Sequence, residues 1–324
     1  MRIQLSDHFT FKKLLRFTIP SIIMMICTSV YSIIDGLFVS NFVGKTPFAA
    51  LNLVFPVLMA LGTIGFMLGT GGSAIVAITL GQGRKKEANE YFSMLIYLAI
   101  AIGIVIAAVG FLFMRPISVA LGATGELIDY CVVYGRILML SLPAFMLQIM
   151  FQSFFVTAEK PELSLRTAIA AGLTNAFLDF LFIVVFQWGL AGAAAATAAG
   201  EFIGGLTPLF YFARKNNSLL RLTKTRFYGR VLLKTCTNGS SELMTNISSS
   251  IVNILYNFQL MKFAGEDGVA AYGVIMYANF IFAAVYMGYS IGSAPIAGYN
   301  HGARNYTNYR IFSGKALQSS ESSV

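Results

Sequence analysis

Six polar residues stand where this sequence otherwise keeps water out. Asp35 lies in the apolar run 17–41, one helical turn after Tyr31. Asn175 and Asp179 sit four apart in the run 163–186, and Thr197 and Glu201 sit four apart in the run 189–213. A spacing of four puts each pair on one face of a helix. A carboxylate at mid-depth in hydrocarbon costs about 2.5–3.5 kcal/mol on insertion scales, so it is not kept there without a use. If the three faces converge, they form a polar pocket that can take up and release a proton. Two carboxylates with an amide and a hydroxyl equally offer oxygen ligands to a small cation.

The elements that must position these groups follow from composition. Apolar residues make up 56% of the chain and charged residues only 11%, too little polar surface for a water-soluble domain of 324 residues. Eight apolar runs, near 17–41, 48–80, 92–114, 131–157, 163–186, 189–213, 236–262 and 269–299, each reach the roughly 20 residues that cross about 30 Å of hydrocarbon. They are continuous rather than alternating, which predicts helices and not a β-barrel. The expected fold is an all-α polytopic membrane protein in a lipid bilayer.

The net charge of +9 invites a nucleic-acid reading, and its placement rejects it. Arg2, Lys12, Lys13 and Arg16 precede the first run, and Arg84, Lys85 and Lys86 follow the second. Lys160 and Arg166 sit around the fourth-to-fifth loop, seven cations lie between Arg214 and Lys234, and Arg304, Arg310 and Lys315 follow the eighth run. The intervening loops offer only Lys45, Arg115 and Lys262, with Arg136 just inside the fourth run. Alternation of this kind is the positive-inside rule, and it predicts a cell (inner, cytoplasmic) membrane protein with both termini cytoplasmic. The first run is too long for a secretory signal and contains Asp35. Cys27, Cys131 and Cys236 are scattered, and His8 and His301 are far apart, so neither a disulfide frame nor a metal site is expected. Without a nucleophile–base pair or a cofactor motif, the chain does not read as an enzyme.

Self-similarity adds an architecture. "FVGKTPFAALNLVFPV" (42–57) is echoed by "FAGEDGVAAYGVIMYA" (263–278), and "GTGGSAIVAITLGQGRKKEANEYF" (69–92) by "GYSIGSAPIAGYNHGARNYTNYRIF" (288–312). The offset of about 220 leaves six runs per copy, an even number, so the copies enter the membrane in the same sense, as parallel repeats do in two-lobed transporters. The expected division is a complete six-helix N-terminal lobe (1–213), a basic cytoplasmic connector (214–234), the first two helices of a second lobe (235–302) and a polar tail (303–324).

Four stretches carry a family likeness: "IPSIIMMICTSVYSIIDGLFVSNFVG" (19–44), "GTGGSAIVAITLGQG" (69–83), "NAFLDFLFI" (175–183) and "GLAGAAAATAAGE" (189–201). In this order the chain resembles the multidrug and toxic compound extrusion (MATE) family of cation-coupled efflux transporters. The resemblance implies twelve helices in two lobes, of which eight are found here, and export driven by a proton or sodium gradient with no other cofactor. Resemblance to the DinF-like branch further implies that Asp35, Asn175, Asp179 and Thr197, with Tyr31, line a coupling-cation site. Glu201 stands where that pattern leads us to expect a neutral polar residue.

Secondary candidates follow. Glu201 is expected near a helix end, where it can snorkel. Glu242, in "NGSSELMTNISSS", is expected in the first turn of the seventh helix, stabilised by the macrodipole. Phe55, Met59, Met146 and Gln148 are candidates for a soft, adaptable substrate cavity. The leading functional expectation is a multidrug antiporter that exports organic cations by alternating access. One alternative is a non-transporting product or half-module that self-associates or takes a partner chain to complete its second lobe. Another is a lipid-linked oligosaccharide flippase, which would need cavity-facing cations for a pyrophosphate; Arg136 is the one deep cation in the first six runs.

Overall fold

The computed structural model describes residues 3–305, and they fold into eight helices. The first six are α1 (Phe11–Phe38), α2 (Lys45–Gly81), α3 (Lys85–Ala120), α4 (Glu126–Thr157), α5 (Pro161–Asp179) and α6 (Gly189–Ala213). A long helical run, Gly229–Gly302, is broken at Gly265 (φ 61°, ψ −152°), which divides it into α7 (229–264) and α8 (266–302). The expected polar tail lies outside the described residues from 306 onward.

Local chemistry sets the ends. Thr10 caps α1 by accepting a hydrogen bond from the Lys13 amide at 3.3 Å. Pro161, with no amide hydrogen to lose, opens α5. Between α1 and α2 the chain turns at Gly44 (φ 124°, ψ −179°), and between α7 and α8 at Gly265. Both conformations are strained for a residue with a Cβ, and the two glycines occupy matching places in the repeat. A π-helical turn prolongs α1 over Val39–Val43 and another prolongs α5 over Phe180–Val185. Each begins just beyond a carboxylate, at the sort of widened turn that often marks a functional site.

By length and composition, six helices among the described residues can cross a membrane: α1 to α5 and the second half of α8. The other two also read as spans in the sequence. The alanines, glycines and Glu201 of α6 lower its hydropathy, as do the serines, threonines and asparagines of α7. At 25 residues α6 is still about 37 Å long, enough to span beside its neighbours. α4 is the central helix of the first six. It packs against α2, α3 and α6, and an interlocked set of rings (Phe92, Phe151, Phe154, Phe155 and Phe212) joins it to α3 and α6.

α7 and α8 pack on α2 and α1. α7 crosses α2 where Gly71 meets the Thr235 carbonyl and the Gly239 backbone, and Gly239 in turn meets the Met67 carbonyl. α8 crosses α1 where Gly288 lies on the backbone of Ser21 and Ile22. A side chain at either crossing would force the backbones apart, which is how small residues let membrane helices approach. The corners between helix pairs also touch: Lys45 pairs with Asp267, and the Thr46 hydroxyl donates to Glu266 Oε2 at 2.6 Å.

At the opposite end, which carries both described termini, two extended segments lie across the bundle. Residues 214–228 run along α3: Arg221 N–H donates to Asn89 Oδ1 (2.7 Å), Thr223 N–H to Ser93 Oγ (2.9 Å), and the Tyr228 hydroxyl to Glu90. The expected connector ran to 234, but α7 begins at Gly229, because Val231 and Leu232 pack into the apolar cluster around Phe92 and draw the helix back into the charged stretch. The N-terminal segment buries Leu5, whose N–H donates to Glu159 Oε1 (2.7 Å) and whose carbonyl accepts from Asn300 Nδ2 (3.4 Å).

Candidate functional site

The three expected faces converge. α1 packs on α5 and α5 on α6, which brings Asp35, Asn175, Asp179 and Thr197 together inside the first six helices. The Asn175 amide Nδ2 donates to the Thr197 hydroxyl, which donates to Asp35 Oδ1, both at a long 3.4 Å. Gly200 lets α6 approach close enough for this, since its Cα faces the Ala171 carbonyl and the Asn175 Cβ. Asp35 and Asp179 are neighbours in this cluster.

The remaining lone pairs point the same way. Both oxygens of Asp179, Oδ1 of Asn175 and Oε2 of Glu201 are buried without a hydrogen-bond partner among the described residues. Buried acceptors are almost always satisfied, and four in one place form a negative, cation-accepting environment. Two carboxylates, an amide oxygen and a hydroxyl make a suitable donor set for a proton or a hard monovalent cation.

This cluster forms one wall of an open-mouthed cavity. Tyr31, Asp35, Asn175, Thr197 and Glu201 line it, and Asp179 lies behind them. The cavity sits in the half of the bundle away from the termini. Its apolar floor includes Phe55, Met59 and Phe145, and its far wall comes from α2, α7 and α8 through Asn52, Asn253, Asn257 and Tyr272. Tyr31 leans on Gly172 of α5, which fixes its ring at the edge of the cluster.

Other sequence candidates fall elsewhere. Glu201 faces the cavity near the middle of α6 instead of snorkelling at an end. Met146 is fully buried where α4 crosses α2 and α3, against Gly65 and Gly103, and does not reach the cavity. Gln148 lies against Gly204 and lines a separate small crevice, although it neighbours the Tyr31 hydroxyl. Both miss because the residues facing the cavity from α4, Tyr134, Leu138, Leu142 and Phe145, lie on another face of that helix. Glu242 is not in a first turn: α7 starts at Gly229, so Glu242 lies more than three turns in and away from the cavity. Arg136 is drawn to α3, where its Nε donates to the Phe111 carbonyl (3.2 Å) and its guanidinium covers the Phe111 ring.

The asparagine–tyrosine wall was not foreseen. Neutral amides carry no charge penalty to flag them, and the usable signal was Asn253 and Asn257 four apart in "IVNILYNFQL".

The chain is similar to known proteins in sequence and in fold. The multidrug export protein MepA of Staphylococcus haemolyticus (strain JCSC1435) is 25% identical over 291 residues, covering 90% of this chain and 64% of that protein. MepA of Staphylococcus aureus (strain MRSA252) is 24% identical over 293 residues, with the same coverage. The chain thus spans a little under two thirds of the length of these relatives. Among solved structures, the MATE multidrug transporter DinF-BH superposes with a TM-score of 0.87 at 26% identity, covering 96% of this chain and 71% of that one. The MatE family model matches residues 20–181 and 243–317, well over half of the sequence. The chain belongs to the MatE family, as its four motif stretches implied.

Proposed function

We propose that this chain works as a cation-coupled efflux antiporter that exports organic cations by alternating access, with Asp35, Asn175, Asp179 and Thr197 as its coupling site and a proton or sodium ion as the coupling ion. The observation that carries this reading is the buried pair of neighbouring carboxylates Asp35 and Asp179, the latter with both oxygens unpartnered among the described residues, at the wall of an amphipathic cavity. Like charges this close in a low-dielectric site repel strongly unless a proton or metal cation lies between them. An organic cation seated against Asp35 and Glu201 supplies the same positive charge. The two positive species then compete, and competition for one charge is the thermodynamic basis of exchange. The names of the MepA relatives, multidrug export proteins, agree with this direction. The alternating basic loops support cytoplasmic termini in a bacterial-type cell membrane, with Arg136 turned away from the cavity and so no help to a pyrophosphate.

The test is ethidium efflux from cells stripped of their own pumps, expressing the chain or its Asp179→Asn variant. Gradient-dependent efflux that falls at least tenfold in the variant supports the reading. A variant as active as the parent sinks Asp179 as a coupling residue. A second reading is a half-module that needs more helices from another segment or chain, in keeping with a chain that covers 64% of the MepA relative's length. It predicts that the chain reaches the membrane and moves no ethidium.

A further inference from the structure

Opposite the carboxylates, the cavity ends in a wall built from both repeats. Asn257 of α7 is 3% exposed, yet it lines the cavity. Its Nδ2 donates to the Asn52 carbonyl of α2 at 2.9 Å, which fixes the amide's orientation, since only the nitrogen can serve that carbonyl. Its Oδ1 is thereby held without a partner among the described residues. Beside it, the Tyr272 hydroxyl donates to Asn253 Oδ1 at 2.8 Å, and the Tyr272 ring stacks on Tyr256 at 5.3 Å and 14°. Gly273 lies over the Asn52 side chain, where any Cβ would collide with the amide, so α8 closes tightly against this wall.

A buried carbonyl oxygen with a fixed direction and no donor among the described residues, on a residue that lines a cavity, is an acceptor waiting for an N–H or O–H. We propose that Asn257 Oδ1 is a specificity-determining subsite that accepts a hydrogen bond from an N–H group of the transported compound. This rests on the efflux reading above and adds a substrate class to it. The preferred compounds carry an apolar aromatic body for Phe55, Phe145 and Met59, a positive charge for the Asp35–Glu201 wall, and a donor nitrogen at the opposite end. Amidines, guanidines and primary amines fit. Quaternary ammonium and phosphonium ions, which have no N–H, satisfy the charge and leave Asn257 unmatched. A site that presents a buried acceptor rejects the compound that cannot fill it more than it rewards one that merely fits.

The experiment measures dissociation constants on the purified full chain by calorimetry, for the aromatic diamidine DAPI and for tetraphenylphosphonium. In the Asn257→Leu variant, DAPI is expected to bind about tenfold more weakly while tetraphenylphosphonium stays within about twofold. Asn257→Asp also loses the donor to Asn52 but keeps an acceptor oxygen and adds a negative charge, so the DAPI-to-phosphonium ratio of dissociation constants is expected not to rise above wild type. Equal weakening of both compounds in Asn257→Leu overturns the subsite. So does an equal rise of the DAPI-to-phosphonium ratio in the Leu and Asp variants, which would trace the effect to the bond with Asn52. Should Asn257→Leu not purify as a monodisperse protein, Asn257→Ala carries the same expectation. If the wild type binds neither compound, the efflux reading itself falls, and the subsite with it.

Discussion

At the scale of residues, Thr197 holds the polar cluster together, because its one hydroxyl both accepts from Asn175 and donates to Asp35. Thr197→Val keeps the shape and removes both bonds, which costs about 1–3 kcal/mol at a buried site. Ethidium efflux in that variant is expected to fall several-fold with the membrane level of the protein unchanged; undiminished efflux would reduce Thr197 to packing in an alanine-rich helix. Asp35, Asn175 and Asp179 were legible in the sequence because a charge in an apolar run is costly and their four-residue spacing names a face. Asn257 was not, since an amide in the Ser- and Asn-rich stretch of α7 carries no such cost. Met146 and Gln148 failed for a geometric reason. In α4, buried on nearly every side, hydropathy cannot say which face meets a cavity and which meets a neighbouring helix.

At the scale of elements, the crossing of α2 and α7 depends on two glycines in backbone contact. Gly239→Val pushes its side chain into the Met67 carbonyl and separates the helices. Overpacking of this kind costs about 1–3 kcal/mol or more, so the thermal unfolding midpoint in detergent is expected to drop by several degrees. A midpoint equal to wild type would mean that α7 does not rest on α2 as described. Glu159→Ala tests the N-terminal segment in the same assay. Losing the acceptor for the Leu5 amide is expected to lower the midpoint modestly, by about 1–2 kcal/mol of stability. Helix number and order were readable from apolar runs, while helix ends were less so. α7 starts within the basic stretch because Val231 and Leu232 find a core there, and only tertiary packing reveals that.

At the scale of the molecule, the first helix pairs of the two repeats meet through matching parts. Gly44 and Gly265 turn the chain at equivalent places, and each corner reaches for the other: Lys45 contacts Asp267 and Thr46 contacts Glu266. The repeat in the sequence foretold two similar units but not that they would touch at their corners, because nothing along one chain encodes the position of an axis between two segments. The ion pair is exposed, so Lys45→Glu alone is expected to cost about 0.2–1 kcal/mol, and Lys45→Glu combined with Asp267→Lys to restore most of that in a double-mutant cycle. Orientation belongs to this scale as well. Single cysteines placed at Lys86 and Arg226 are expected to resist a membrane-impermeant thiol reagent in intact cells, while one at Arg115 reacts. Labelling at all three positions would refute the topology drawn from the basic loops.

The corner contact has the pattern of an approximate two-fold axis. A first residue touching the other unit's second, and a second touching the other unit's first, is how two identical chains clasp across a two-fold axis. Here the two hands differ: one side presents Lys45–Thr46, the other Glu266–Asp267. Two copies of the first unit would set lysine against threonine and gain no ion pair, and two copies of the second would set acid against acid. The corner is thus a lock with unlike halves, in which each unit fits its complement better than a copy of itself.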